Sequence, residues 1–304
     1  MPERVLAEPL AQGSFDGVAV TAEGAPLAFT SQAARGANTG QLWDLAAGAA
    51  LGAPIPDFPT DRADWAFGLP AGSPAVAWTH RDRVHVHDLA TGSEPVFDGR
   101  PDLLGLAVHH GRAGVVAVFG PASDAEVLVW DAVTGERLTE FTLWLGHGTA
   151  IDRWILHATP ATGPLIGLPG DSAVGLVDVE RGEEIAALPT SVPAPVLTPS
   201  PAGLVLVQPT PSALHVRGLD GERAATLETP SPCDHVAAAL VDDTLLVAAA
   251  LRDDPGTLLA WDAATLTPSH RIEVPAPVND LALCPDGTLI AATDTGLHTA
   301  RLCG

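Results

Sequence analysis

One short pattern recurs along the chain: an alternating apolar run, a bulky residue, Asp, three residues, then Gly. It occurs at Gln41-Leu42-Trp43-Asp44 with Gly48, Val86-His87-Asp88 with Gly92, Val129-Trp130-Asp131 with Gly135, and Leu176-Val177-Asp178 with Gly182. A Gly at this spacing suits a hairpin turn that needs positive φ, which glycine adopts without steric cost. Two worn copies follow. Trp261-Asp262 keeps the dipeptide but loses the Gly, and Leu214 to Gly221 keeps strand and turn but not the dipeptide. Gly296-Leu297-His298-Thr299 reads as a seventh copy. The residues before the Asp position are then 43, 87, 130, 177, 217, 261 and 298, at intervals of 37 to 47. That period is near the roughly 40–45 residues of a four-stranded repeat unit.

Two further strand-like runs lie upstream of each copy. Before Trp43 they are Gly17 to Thr21 and Pro26 to Thr30; before His298 they are Asp280 to Cys284 and Thr288 to Thr293, joined by Pro285-Asp286-Gly287. Alternating hydrophobics around such a turn predict a hairpin. No segment of 12 or more residues shows helical periodicity, and the 30 Gly and 28 Pro are spread evenly. With 46% hydrophobic residues the 304-residue chain has material for a substantial core. The expected class is all-β, one domain over residues 1–304.

The Trp-Asp dipeptides, the Gly146-His147 pair and the run Val278-Asn279-Asp280-Leu281-Ala282-Leu283-Cys284-Pro285-Asp286-Gly287 resemble WD-repeat β-propellers, here in a degenerate, bacterial-type form. The resemblance covers essentially the full length. It implies a seven-bladed β-propeller of four-stranded antiparallel blades, with an N-terminal strand, within Glu3 to Leu10, completing the last blade and closing the ring. It also implies that the acids Asp44, Asp88, Asp131, Asp178 and Asp262 stabilise turns. Only three repeats carry Trp-Asp and one carries Gly-His. The hydrogen-bonded network that locks a regular blade is therefore complete in few blades, leaving apolar packing between blades to carry stability.

The formal net charge is −22, and all 15 basic residues are Arg. That balance argues against nucleic acid and anionic membranes, where basic patches supply much of the affinity, and for a basic protein or peptide partner. Cys233, Cys284 and Cys303 are too few and too far apart for a disulfide framework or a metal cluster. The N-terminus lacks a signal-peptide pattern, and apolar stretches such as Val236 to Val241 stop at acids. A monomer in a reducing cytoplasm, without a cofactor, is the expectation.

Asp16, Asp64, Asp152, Asp234 and Asp280 take roughly one phase of the repeat, at the starts of inner strands. In a propeller that phase lies near the channel mouth, where converging carboxylates attract a cationic group. The plainer reading is turn capping, and a slip of one residue flips the facing of each side chain. Trp65 and Trp154, beside Arg62 and Arg153, are candidate anchors, since Trp and Arg dominate binding hot spots; His235 follows Asp234. Trp144 is a third candidate. His85 and His87, two apart on a strand, face the same side and suggest metal chelation, although His87 also stands where other repeats have Trp. His109 and His110 read as turn residues. No GxSxG, SxxK or Gly-rich phosphate loop occurs, and Cys284 reads as a small buried residue. The favoured function is a non-catalytic scaffold. The alternative is a propeller lyase, hydrolase or isomerase using His and Asp at the channel mouth, and the family resemblance favours neither.

Overall fold

The computed structural model describes residues 3–6, 8–21, 25–33, 38–61, 64–69, 72–120, 125–143, 155–159, 163–169, 173–189 and 195–303. Among these no α-helix occurs, and the strands form seven antiparallel meanders of four, one per sequence repeat. The all-β, seven-bladed class is as the repeat predicts. The chain divides into two compact units, Met1–Thr60 with Pro195–Gly304, and Asp61–Ala194.

The first unit holds four blades. Blade one comprises Phe15–Val20, Leu27–Gln32, Thr39–Asp44 and Ala49–Pro56; blade five comprises Val196–Ser200, Gly203–Pro209, Ala213–Gly218 and Arg223–Glu228. Blade six comprises Cys233–Val241, Thr244–Leu251, Thr257–Asp262 and Pro268–Glu273. Blade seven comprises Val278–Leu283, Thr288–Thr293, Gly296–Arg301 and, from the other end of the chain, Ala11–Gln12. The second unit holds blades two (from Trp65–Gly68 to Val96–Asp98), three (from Leu103–His109 to Arg137–Leu143) and four (from Ile155–Thr159 to Glu183–Pro189).

Strands in the middle of a blade are buried on both faces, which is why they read as continuous apolar runs. In Thr244–Leu251, Val247 and Ala249 pack with Val205, Val207 and Leu214 of blade five, while Leu246, Ala248 and Ala250 pack with Leu281, Leu283 and Leu289 of blade seven. Alternate residues of one strand thus serve opposite neighbours. The expected locking network is sparse. Trp43 Nε1 donates to Thr30 Oγ1 at 2.9 Å, but the cross-strand register puts Ala249 in the place of Thr30 in blade six. There the buried Trp261 Nε1 makes no hydrogen bond, so its contribution is apolar packing.

The repeated acids act in their turns. Oδ1 of Asp44 accepts the Ala46 and Ala47 amides, Asp88 those of Ala90 and Thr91, Asp131 those of Val133 and Thr134, and Asp178 those of Glu180 and Arg181, all at 2.8–3.1 Å. Four residues on, Gly48, Gly92, Gly135 and Gly182 all have φ between 64° and 74°. Blade six keeps this turn without its glycine. Leu266 has φ of 60° and an exposed side chain, a conformation that costs an L-residue about 1–2 kcal/mol. Leu266→Gly is expected to stabilise the protein by about 0.5–1 kcal/mol, the relief exceeding the added chain entropy. A urea midpoint unchanged or lowered would show that the strain is absent.

The N-terminal segment departs from the expected phase. Ala11–Gln12 pairs with Gly296 and Leu297, and Leu10 N donates to Leu297 O at 2.7 Å. The fourth strand of blade seven therefore comes from the N-terminus, as expected, but from its later part. Glu3–Val5 instead joins blade six as a fifth strand, parallel to Arg271–Glu273. Gly296 makes the tight approach feasible, because a Cβ there would lie 2.5 Å from Pro9 Cβ and 2.7 Å from Ala11 O. Register also corrects the seventh repeat. His298 pairs with Ala291, where blade one pairs Gln41 with Thr30, so the residue matching Trp43 is Ala300 rather than His298.

Candidate functional site at the strand-start end of the first unit

The inner strands of blades six, seven and one lie side by side in the first unit. Each begins with a bulge: at Asp234 between Cys233 and His235, at Asn279 between Val278 and Asp280, and at Asp16 between Phe15 and Gly17. The residues before the bulges, Cys233, Val278 and Phe15, are buried. A bulge adds one unpaired residue and re-aims the side chains beside it. Asp16 and Asp234 thus share a place with Asn279, whereas Asp280 matches Gly17 and His235. The single phase expected for the aspartates splits in two.

Asp280 is a structural tie. Its Oδ2 accepts the amide of Val18 in blade one at 2.9 Å, and its Oδ1 accepts the Leu281 amide at 2.9 Å. His235 Nδ1 of blade six lies 3.9 Å from the same Oδ1, too long for a hydrogen bond. Asn279 Nδ2 donates to Phe15 O at 3.0 Å and to Asp294 Oδ1 at 2.9 Å, and Ser14 Oγ donates to Asp294 Oδ1 at 3.1 Å. Asp234 is held by Arg252, Nε to Oδ1 at 2.7 Å.

Asp16 differs from these. Its Oδ2 is buried without a hydrogen-bond partner. Burial raises its pKa, the Ala33 backbone amide opposes that, and the Asp294 charge adds to the rise. A carboxylate so placed gains from any cation that reaches it.

The other expected site residues are distributed differently. Asp64, in the second unit, accepts the Thr79 hydroxyl at its own Oδ1 (3.2 Å) and carbonyl (3.3 Å). Trp65 is 1% exposed and forms part of the core of blade two, so it is no surface anchor. Asp152, Trp154, Arg62, Arg153, Trp144 and His147 lie outside the described residues. The strand-start acid of blade three is Asp102, which the sequence reading passed over; its Oδ2 accepts the Gly120 amide at 2.7 Å. His85 stacks on Trp78 at 5.2 Å, with its Nδ1 3.8 Å from Glu94, and its pKa is lowered chiefly by burial. Among the described residues no group of three His, Cys, Asp or Glu is arranged to hold a metal ion.

No protein-family model matches the chain. Eukaryotic translation initiation factor 3 subunit I from Drosophila virilis and from Drosophila melanogaster are each 28% identical to it over 204 residues, which is 61% of this chain and 60% and 59% of theirs. The chain thus spans about three fifths of the length of these curated relatives. The solved structure of U3-55K superposes with a TM-score of 0.65 at 15% identity, covering 94% of each chain. The chain is a WD-repeat-like β-propeller.

In this propeller the strand-start end of the first unit offers acceptors rather than an activated nucleophile. Cys233 and His235 flank a bulge beside Asp280, but burial pushes the Cys233 thiol up to about 11, so it stays protonated near neutrality. Cys284 is buried, as expected, and burial pushes its thiol up to about 12. No described helix is long and apolar enough to cross a membrane. Asn279 stood in the sequence only as one member of the repeat-like run Val278 to Gly287, and Asp294 and Ser14, which help organise the site, carried no sequence signal of their own.

Proposed function

We propose that this propeller is a non-catalytic scaffold that docks a basic protein or peptide segment against the strand-start end of the first unit. The observation that carries the reading is Asp16, a carboxylate with a buried, unpartnered oxygen beside Asp294, in a chain of net charge −22. Asp234, exposed at the next bulge but one, extends the acidic surface and is already matched by an arginine in cis. Arg252 on Asp234 is a guide to the chemistry sought, a guanidinium set against a carboxylate. Relatives named as a subunit of an initiation factor support a role within an assembly. Free Cys233, Cys284 and Cys303 fit a reducing cytoplasm.

The test uses an arginine-rich peptide and a length-matched peptide with Glu in place of Arg. Association of the arginine peptide is expected to slow several-fold between about 50 and 500 mM salt, as the Debye length shrinks from above 10 Å to below 5 Å. Asp16→Asn is expected to weaken it about fivefold or more, and Asp64→Asn in the second unit to leave it unchanged. Binding indifferent to salt and to Asp16→Asn would overturn the reading.

A further inference from the structure

We infer that the N-terminal strap, residues 3–6 and 8–12, is a latch that acid loosens, with His298 as its trigger. The strap runs from the edge of blade six to the edge of blade seven. It is held by three parallel pairs on Arg271–Glu273, two antiparallel pairs on Gly296–Leu297, and backbone bonds from Leu6 N to Glu273 O (2.9 Å) and Leu10 N to Leu297 O (2.7 Å). Its apolar hold is slight. Leu6 packs on the cluster of Ile272, Leu289 and Ala300, Leu10 on the cluster of Leu297 and Ile290, and Val5 is 68% exposed.

His298 lies between these two anchor points, on the face of its strand that Ala300 shares. It is 1% exposed, and neither ring nitrogen has a hydrogen-bond partner. Burial lowers its pKa, and the Leu6 backbone is the one group that favours the charged ring. The neighbouring elements bring little else. The Pro268–Glu273 strand carries His270, bonded to Ser269, and Arg271, paired with Asp254 and Glu273. Arg301 pairs with Asp286, Glu8 is exposed, Cys303 is a thiol whose pKa is raised chiefly by burial, and Asp262 caps its turn. Thr288–Thr293 and Ala11–Gln12 carry no titratable group.

A buried neutral imidazole must be hydrated to accept a proton. The Leu6 backbone of the strap lies against the ring, and the strap is tied on by a handful of backbone bonds, so lifting it is the least costly route to water. The sign follows from linkage. The docked strap is fully favoured above the ordinary imidazole value near pH 6.5, and the preference falls about tenfold per pH unit below it, until the lowered value of the docked state is reached. Release uncovers the edges of the Pro268–Glu273 and Gly296–Arg301 strands, both able to accept another strand.

Hydrogen exchange at the Leu6 and Leu10 amides of the full chain tests this at pH 7.5 and 5.5, corrected for intrinsic rates, with the Val247 amide of blade six as reference. In the wild type, opening at Leu6 and Leu10 is expected to rise about tenfold more than at Val247. In His298→Leu that excess is expected to vanish. An equal excess in His298→Leu, or a rise shared by Val247, overturns the latch. If the variant does not fold, the ring of His298 is titrated by NMR in the wild type. Loss of strap protection in step with ring protonation supports the latch, and a ring that protonates while both amides stay protected overturns it.

Discussion

Deleting residues 1–12 is expected to cost about 4 kcal/mol or more, whereas deleting residues 1–5 costs about 1 kcal/mol. The two deletions remove different things. Residues 3–5 add a three-residue parallel strand to an already complete blade six, with Val5 largely in water. Residues 6–12 include Leu6 and Leu10, packed on two apolar clusters, and the fourth strand of blade seven. Half-burial of two leucines is worth about 2 kcal/mol, and the stripped Gly296–Leu297 edge loses hydrogen bonds worth about 1 kcal/mol each. Ile272 and His298, both fully buried, then lose cover. A domain stable by about 5–15 kcal/mol is left with a small margin, so the longer deletion melts far lower. Equal melting temperatures for the two deletions would mean that the strap closes nothing.

The sequence was most informative where a residue type has one conformational use. Gly four residues after Asp marks a left-handed turn position, and the Asp before it accepts two amides; both follow from local chemistry and hold in each of the four regular repeats. Leu266 shows the converse, since the tertiary fold imposes the same turn on a residue with no local reason to adopt it. The site was less legible because bulges are set by packing between strands. One extra residue at Asp16, Asp234 and Asn279 moves Asp280 out of phase with its apparent equivalents, and no composition signal marks where it is inserted. Trp65 failed as an anchor for a related reason: beside an acid at a strand start it reads as surface, but the pleat turns it into the core. His298 was misplaced by two residues because the last repeat has neither Trp-Asp nor a following turn to fix its register.

Asp280→Ala is expected to destabilise the protein by about 2–3 kcal/mol, the largest effect of any single substitution at the strand starts. The first strand of a blade has one edge paired to its own sheet and one edge without a strand beside it. On that open edge the Val18 amide finds its acceptor in Asp280 Oδ2 of the next blade, and the other oxygen holds Leu281. Charge-assisted bonds of this kind are worth about 1.5–3 kcal/mol, and truncation strands a part-buried donor. His235 of blade six loses its neighbouring carboxylate in the same step, so one side chain bears on three successive blades. Asp280→Asn keeps an acceptor for one amide and is expected to lose about half as much. Asp16→Asn should lose nothing and gain slightly, because its amide escapes the burial and the Asp294 charge that penalise the carboxylate. Denaturant midpoints for the three variants separate the roles: Asp280 low, Asp16 at or above wild type. An Asp280→Ala midpoint at the wild-type value, with Asp16→Asn lowered, would exchange the two assignments, making Asp16 the tie and Asp280 the carboxylate left for a partner.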